Sequence, residues 1–362
     1  MRVIFGTGGT GGHLYPALAL ASYIQKQDPT SEFLFVGTPN HLEATVVPAR
    51  GYAFEAMDLQ GLAGSPIKKA KALLKFVGSL NKSKKIIRKF KPDIVVGFGG
   101  YVSSSIVLAA SKQHIPTLIH EQNSIVGLAN RMLIKHVDAI VACYEKAMES
   151  FPKEKTYLLG NPRASEVVEM TLTDRRASYG LAKDQPFVLI VMGSLGSSSV
   201  NRVIEEAMGQ FASKPYEVVF VTGEKQYDRV MREVEEASSQ VKIVPYVDDL
   251  PGLMQHASLV VSRAGASTLA EITSLGVPAL LIPSPYVASN HQEYNARELC
   301  DQGAACMILE RELQPDRLVQ TIDALLYDKQ KLDDMRQRAK ALGKPQASHD
   351  IYDLMLKVIQ SR

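Results

Sequence analysis

The stretch Arg2-Val-Ile-Phe-Gly-Thr-Gly-Gly-Thr-Gly-Gly-His13, running on into Leu14-Tyr-Pro-Ala-Leu-Ala-Leu-Ala-Ser-Tyr-Ile-Gln-Lys-Gln27, decides the fold. A short apolar run that stops at glycines reads as a parallel strand buried on both faces. Residues 16–27 read as a helix with Pro16 in its first turn, where a residue without an amide hydrogen is tolerated. The alternation continues, with strands expected at Glu32–Val36, Asp93–Val96, Pro116–His120 and Ala139–Ala142 and helical stretches between them. It then restarts at Phe187–Met192, again ended by glycine. A helix is expected over 200–212, and further strands at Tyr216–Val221, Val241–Val244, Leu259–Ser262 and Ala279–Ile282. Strand–helix alternation in two rounds implies two α/β domains, each a Rossmann-like, doubly wound parallel sheet, facing a cleft. The boundary is expected near Gly160-Asn-Pro-Arg163, giving domains of 1–162 and 163–345. The amphipathic C-terminal helix, 346–362, is expected to join the first domain.

Composition agrees. A chain of 362 residues suggests two domains at roughly 150 residues each. It is 46% hydrophobic and 22% charged, as ordinary globular proteins are. A net charge of +3 argues against nucleic acid as a partner. Three cysteines, Cys143, Cys300 and Cys306, are too few for a disulfide framework and suit a reducing compartment. The apolar run after Met1-Arg2 is too short for a signal peptide, and no stretch of about 18 apolar residues exists to span a bilayer.

Three glycine loops follow strands: Gly6–Gly12, Gly97-Phe-Gly-Gly-Tyr101 and Gly193-Ser-Leu-Gly-Ser197. Glycine lets the backbone approach an anion, and the helix behind each loop offers free amides and a partial positive charge. The first loop also spells G-x-G-x-x-G, the dinucleotide fingerprint. That reading needs an acid at the tip of the second strand, and Val36-Gly-Thr-Pro-Asn40 has none, although Glu43 lies just beyond. No Gly-Lys-Ser/Thr follows, so the P-loop reading fails. In the second half, Ser262-Arg-Ala-Gly-Ala-Ser-Thr-Leu-Ala-Glu271 leaves a strand and opens a helix. Glu271, about two turns in, can accept both hydroxyls of a ribose. Ser289-Asn-His-Gln-Glu-Tyr-Asn295 is a polar cluster suited to sugar hydroxyls.

Taken together and in order, Gly8-Gly-Thr-Gly-Gly-His13, His120-Glu-Gln-Asn123, Gly160-Asn-Pro-Arg163, Gly193-Ser-Leu-Gly196, Ser262-Arg-Ala-Gly265 and Asn290-His-Gln-Glu293 resemble the MurG family. These are the N-acetylglucosaminyltransferases of peptidoglycan synthesis, with the GT-B fold. The resemblance implies UDP-N-acetylglucosamine as donor and an undecaprenyl-pyrophosphoryl-muramoyl-pentapeptide as acceptor. It puts the backbone near Val247 at uracil, Glu271 at the ribose and Ser194 at the pyrophosphate. Arg163 would lie close to the nucleotide, and Ala264, Gln292 and Glu293 near the N-acetylglucosamine. Thr10, Gly11, Gly12 and Asn123, on the first half, are also assigned to the donor. The acceptor falls to the loops around 8–13 and 97–101, with Gly9, Gly99, Gly100 and Tyr101. Two departures from the family pattern are Glu293, where some members carry glutamine, and Met192, where many carry a second glycine. A UDP-N-acetylglucosamine 2-epimerase or another GT-B sugar transferase is the alternative.

Displacement at an anomeric carbon needs a base and a stabilised leaving group. His13 is the leading candidate for base, since imidazole exchanges protons near neutral pH. The competing reading is that it only hydrogen-bonds substrate or caps its helix. His120 and Glu121 are weaker candidates, His120 as a possible core histidine. The Ser194 loop and helix N-termini are expected to hold the leaving pyrophosphate. With no Asp-x-Asp pair, no metal or other cofactor is expected.

Between Asp58 and Asp93 there is no acidic residue, while Lys68, Lys69, Lys71, Lys75, Lys82, Lys84, Lys85, Arg88, Lys89 and Lys91 crowd the interval. Ile67, Leu73, Leu74, Phe76, Val77 and Leu80 are interleaved with the first lysines. The pattern is that of an interfacial helix, so residues 67–91 are expected to meet an anionic membrane. The expected location is peripheral, on the cytoplasmic face of the cell membrane. The competing reading is a surface helix whose apolar stripe faces the core.

Overall fold

The computed structural model describes residues 1–59, 66–193, 196–234 and 238–362, with the side chains of 66–74 excepted. The chain forms two compact units, Met1–Glu166 with Lys344–Arg362, and Val167–Gly343.

The first unit is built on seven strands: β1 (Arg2–Gly6), β2 (Glu32–Gly37), β3 (Ala53–Ala56), β4 (Ile94–Gly97), β5 (Thr117–Glu121), β6 (Ala139–Ala142) and β7 (Thr156–Leu158). Their order is β3-β2-β1-β4-β5-β6-β7, and every pair is parallel. Alternate residues feed two separate cores. Val3, Phe5, Phe35 and Val96 pack under the Gly11–Gln27 and Ala347–Gln360 helices. Ile4, Val95, Ile119 and Ile140 pack under the Pro66–Phe90 and Gly100–Ser111 helices. Burial on both faces is why these strands read as unbroken apolar runs. The last helix gives Ile351, Leu354, Met355 and Val358 to the first of these cores, and its Tyr352 meets Tyr23 edge-on.

The second unit has six strands: β8 (Phe187–Val191), β9 (Glu217–Val221), β10 (Val241–Val244), β11 (Leu259–Ser262), β12 (Ala279–Leu281) and β13 (Ala305–Met307). Their order is β10-β9-β8-β11-β12-β13, again all parallel. In each sheet the order reverses once, between β1 and β4 and between β8 and β11. Ligands of open α/β sheets bind in the crevice beyond the strand ends at that reversal.

The structure differs from the sequence reading at two kinds of place. The first helix begins at Gly11, not residue 16, so Pro16 lies within it. The Thr10 carbonyl already takes the amides of His13 and Leu14. Pro16 has no amide to give the Gly12 carbonyl, so one bond of the ladder is missing two residues after it begins. His13 therefore sits in the first turn of a helix rather than at the end of a loop. Strands β3 and β13 were not foreseen. Each is an edge strand of three or four residues, too short to show a hydrophobic period.

Candidate active site

Beyond β1 and β4 the two glycine loops of the first unit pack on each other. Gly6 and Gly97 are in register at the strand ends. Gly99 has φ +110° and begins the Gly100–Ser111 helix. A Cβ at Gly99 would lie 2.7 Å from His13 Nε2 and 2.8 Å from Cδ2. The Nε2–Cδ2 edge of the imidazole thus lies against a backbone that must be glycine. His13 Nδ1 is 2.6 Å from the Gly8 carbonyl oxygen. A carbonyl can only accept, so the ring proton of neutral His13 is on Nδ1 and the lone pair is on Nε2. The half-exposed ring therefore has the protonation a general base requires. Gly9 and Thr10 are exposed, and Gly11, Gly12, Gly100 and Tyr101 partly so, around the same strand ends.

His120, at the end of β5, has a different role. It is fully buried, stacks on Phe98 at 5.0 Å, and donates from Nε2 to the Gly160 carbonyl oxygen at 3.0 Å. Burial drops its pKa from 6.5 to about 4. It is a neutral core group that holds the Gly160 turn. Glu121 is likewise buried. Its carboxylate accepts from the Asn123 amide (3.1 Å), the Gly127 amide (2.9 Å) and Asn130 Nδ2 (2.9 Å). Those bonds shape the loop that carries Asn123. Arg163 opens the Pro162–Glu169 helix, its guanidinium paired with Glu166.

In the second unit, Gly196 (φ +68°) presses on the end of β9, where a Cβ would collide with the Thr222 carbonyl oxygen. Ser194 lies outside the described residues. Gly265 caps the Ala266–Leu275 helix, and Ala264 before it is fully buried. The carbonyl of Ala264 accepts from the buried Asn295 at 3.3 Å, which ties the His291–Cys300 helix to this loop. Gln292 accepts the Ser284 amide at 2.9 Å. Glu293 holds Arg297 and Asn290, each at 2.7 Å, and the Arg297 guanidinium and then Asn290 keep its carboxyl below its usual range. Glu271 is 7% exposed, and Val247 is buried in the loop after β10. Hence the helix that carries Gln292 and Glu293 is tied through Asn295 to Ala264, beside the start of the helix that carries Glu271.

Residues 3–142 match the glycosyltransferase family 28 N-terminal domain, and residues 187–351 match the C-terminal domain of the same family. A Bacillus cereus protein, UDP-N-acetylglucosamine--N-acetylmuramyl-(pentapeptide) pyrophosphoryl-undecaprenol N-acetylglucosamine transferase 1, is 46% identical over 99% of this chain and 100% of its own length. The Listeria monocytogenes protein of the same transferase name is 42% identical over the same shares. The crystal structure of Acinetobacter baumannii MurG superposes with a TM-score of 0.81 at 28% identity, covering 98% of this chain and 99% of that one.

The chain belongs to the MurG family.

Its two parallel-sheet units are those of a GT-B glycosyltransferase. Two residues of this MurG-family site escaped the sequence reading. Arg263 braces the glycine loop of the second unit: Nη2 donates to Ser197 Oγ at 2.7 Å, Nη1 donates to the Ile282 carbonyl at 3.0 Å, and Nη1 lies 2.6 Å from Glu310 Oε2 as a charge contact. A cation inside the Ser262–Gly265 motif was the available signal. The other is Glu43, noted only as lying beyond the second strand. It is buried and accepts the Gly9 amide at 3.2 Å, so it serves the loop itself and is not offered to a ribose.

The basic helix is half described. Lys75 pairs with Asp58 at 3.0 Å and Lys82 with Glu55 at 3.6 Å. Ser79 and Ser83 meet Ser105 at 2.7 and 2.9 Å, while Ile86 and Ile87 enter the core. Val77 is 55% exposed. The inward face is thus the one at 79, 83, 86 and 87, and the side chains of Ile67, Lys68, Lys69, Lys71, Leu73 and Leu74 lie outside the described residues. Among the described helices none is long and apolar enough to cross a membrane.

Proposed function

We propose that this chain transfers N-acetylglucosamine from UDP-N-acetylglucosamine to undecaprenyl-pyrophosphoryl-N-acetylmuramoyl-pentapeptide, releasing UDP. The observation that carries this is the match, end to end at 46% identity, to a relative named for that transfer. The chemistry of the first unit supports it. The acceptor hydroxyl oxygen attacks the anomeric carbon from the face opposite UDP and gives its proton to His13 Nε2. The bond from that carbon to the UDP oxygen breaks, and the configuration inverts to a β1,4 linkage. Gly9, Gly99, Gly100 and Tyr101 hold the acceptor. Thr10, Gly11, Gly12, Asn123 and Arg163 assist the donor from the first unit.

In the second unit Glu271 takes the ribose diol, the Val247 backbone takes uracil, and Ala264, Gln292 and Glu293 take the sugar. The Ser194 loop and helix N-termini stabilise the leaving pyrophosphate, so no metal is needed. The cations of residues 67–91 hold the protein peripherally on the anionic cytoplasmic membrane surface, where a polyprenyl-linked acceptor resides. The test is UDP release in EDTA, with and without the lipid acceptor. Acceptor-dependent release is expected. Release without acceptor points to an epimerase or hydrolase, and loss of release in EDTA refutes the metal-free mechanism.

A further inference from the structure

The Gly8–Gly9 peptide group is engaged at both ends. Its carbonyl oxygen takes the proton of His13 Nδ1 at 2.6 Å, and its amide donates to Glu43 Oε1 at 3.2 Å. One planar, conjugated unit therefore lies between a carboxylate and an imidazole. In hydrolase triads the carboxylate touches the imidazole directly and fixes its tautomer. Here a single peptide intervenes.

We propose that Glu43 is the positioning residue of the base, acting on His13 through the Gly8–Gly9 peptide. The proposal rests on His13 as the base. The carboxylate draws on the amide hydrogen, and the peptide responds with more negative charge on its oxygen. That oxygen holds the Nδ1 proton more firmly and favours the imidazolium that forms when Nε2 accepts the acceptor's proton. Glu43 thereby sets the tautomer, the ring orientation and the basicity of Nε2.

Glu43 is built for such a role. It starts the Glu43–Ala49 helix and is 1% exposed. Oε1 also accepts the Thr38 amide at 3.0 Å and the Thr38 hydroxyl at 2.5 Å. Burial by itself would raise its pKa, but the donors from Thr38 and the backbone outweigh that and hold it below the usual carboxylate range. It is anionic at neutral pH. Oε2 is buried with no hydrogen-bond partner among the described residues, an arrangement that is unfavourable for stability alone. Gly37, at the end of β2, makes room for it: a Cβ there would lie 2.6 Å from Glu43 Cγ.

The other titratable groups around the loop leave this coupling in charge. From β5, His120 acts on His13 electrostatically and is neutral above about pH 4. Glu121 on the same strand is spent on the Asn123–Asn130 loop. Among the described residues, the loop after β4 brings Tyr101, and the helix of His13 itself brings Tyr15.

The test is Glu43→Gln, which keeps the shape and removes the charge. The titration of His13 is followed by NMR on histidine-labelled full-length protein, with His13→Gln to assign the signal. Across one peptide, about 7–8 Å at an intermediate dielectric, the lost charge lowers the His13 pKa by about 0.5–1 unit. The acid limb of kcat/KM moves the same way, kcat falls about tenfold, and KM for UDP-N-acetylglucosamine is unchanged. Thr38→Val removes a donor but leaves the charge, so the His13 titration stays where it is. A folded Glu43→Gln protein with an unmoved His13 titration overturns the proposal, as does an equal shift in Thr38→Val. Should Glu43→Gln fail to fold, the wild type carries the test. The His13 signal must show a second, smaller step as Glu43 protonates below pH 4.5, and its absence overturns the proposal. Full kcat in His13→Gln would instead sink the base assignment, while the titration still reads the coupling.

Discussion

Replacing Gly99 with alanine puts a methyl carbon where the His13 ring lies. At φ +110° and ψ 170°, Gly99 occupies a region that residues with a Cβ hardly enter, at a cost of about 1–3 kcal/mol. The new Cβ would be 2.7 Å from Nε2, 2.8 Å from Cδ2 and 3.3 Å from Cε1, so the ring must turn away. Turning breaks the 2.6 Å bond from Nδ1 to the Gly8 carbonyl, worth about 1 kcal/mol net. Together these give about 2–4 kcal/mol of lost stability, a fall in Tm on the order of 10 °C. The effect on rate is larger, because a displaced base forfeits about 10²–10⁴ in kcat. The assay is acceptor-dependent UDP release, with Tm by calorimetry and UDP affinity by titration on the same sample. UDP affinity is expected to stay within about twofold, since Val247, Glu271 and the Ser194 loop, proposed for uracil, ribose and pyrophosphate, lie on the second unit. A folded Gly99→Ala enzyme with near wild-type kcat refutes the argument, for it would mean that Nε2 does no work against Gly99.

Gly196→Ala is the counterpart on the second unit. Its Cβ would run into the Thr222 carbonyl, backbone that no rotamer change relieves, so calorimetry should find UDP affinity reduced at least about tenfold while residues 8–13 are undisturbed. Acid sensitivity tests His120. Its folded pKa, about 4, lies below the ordinary 6.5, so the unfolded chain binds the proton first and stability falls as pH drops from 6.5 towards 4. That window contributes about 3 kcal/mol, and in His120→Phe the difference in unfolding free energy between pH 7 and pH 4.5 should shrink, whatever the stability at pH 7. Vesicle co-sedimentation tests the basic helix. Changing Lys84, Lys85 and Lys89 together to alanine should weaken binding to anionic vesicles about a hundredfold, at about 1 kcal/mol for each lysine, and leave binding to neutral vesicles alone. Equal binding of both proteins to anionic vesicles would return this helix to an ordinary surface role.

Much of this protein was legible in the chain itself, where the cause is local. Apolar runs ended by glycine mark strands buried on both faces, and restarting the pattern at Phe187 gives a second sheet. The glycines at 99 and 196 could be read as close approaches because they sit in loops between strand and helix and carry no Cβ. The motifs around His13, Glu271 and Gln292 carried the family, since their order survives in one dimension. What the sequence left open depends on contacts between distant segments. The edge strands β3 and β13 exist because a neighbouring strand supplies their hydrogen bonds. His120 looked like a candidate base until its burial against Phe98 and Gly160 made it a neutral core group. The tautomer of His13 and the reach of Glu43 to the Gly9 amide were decided only in three dimensions. A hydrogen bond is fixed by the position and angle of both partners, and a chain separation of 34 residues from Gly9 to Glu43 encodes neither until the sheet between them has formed.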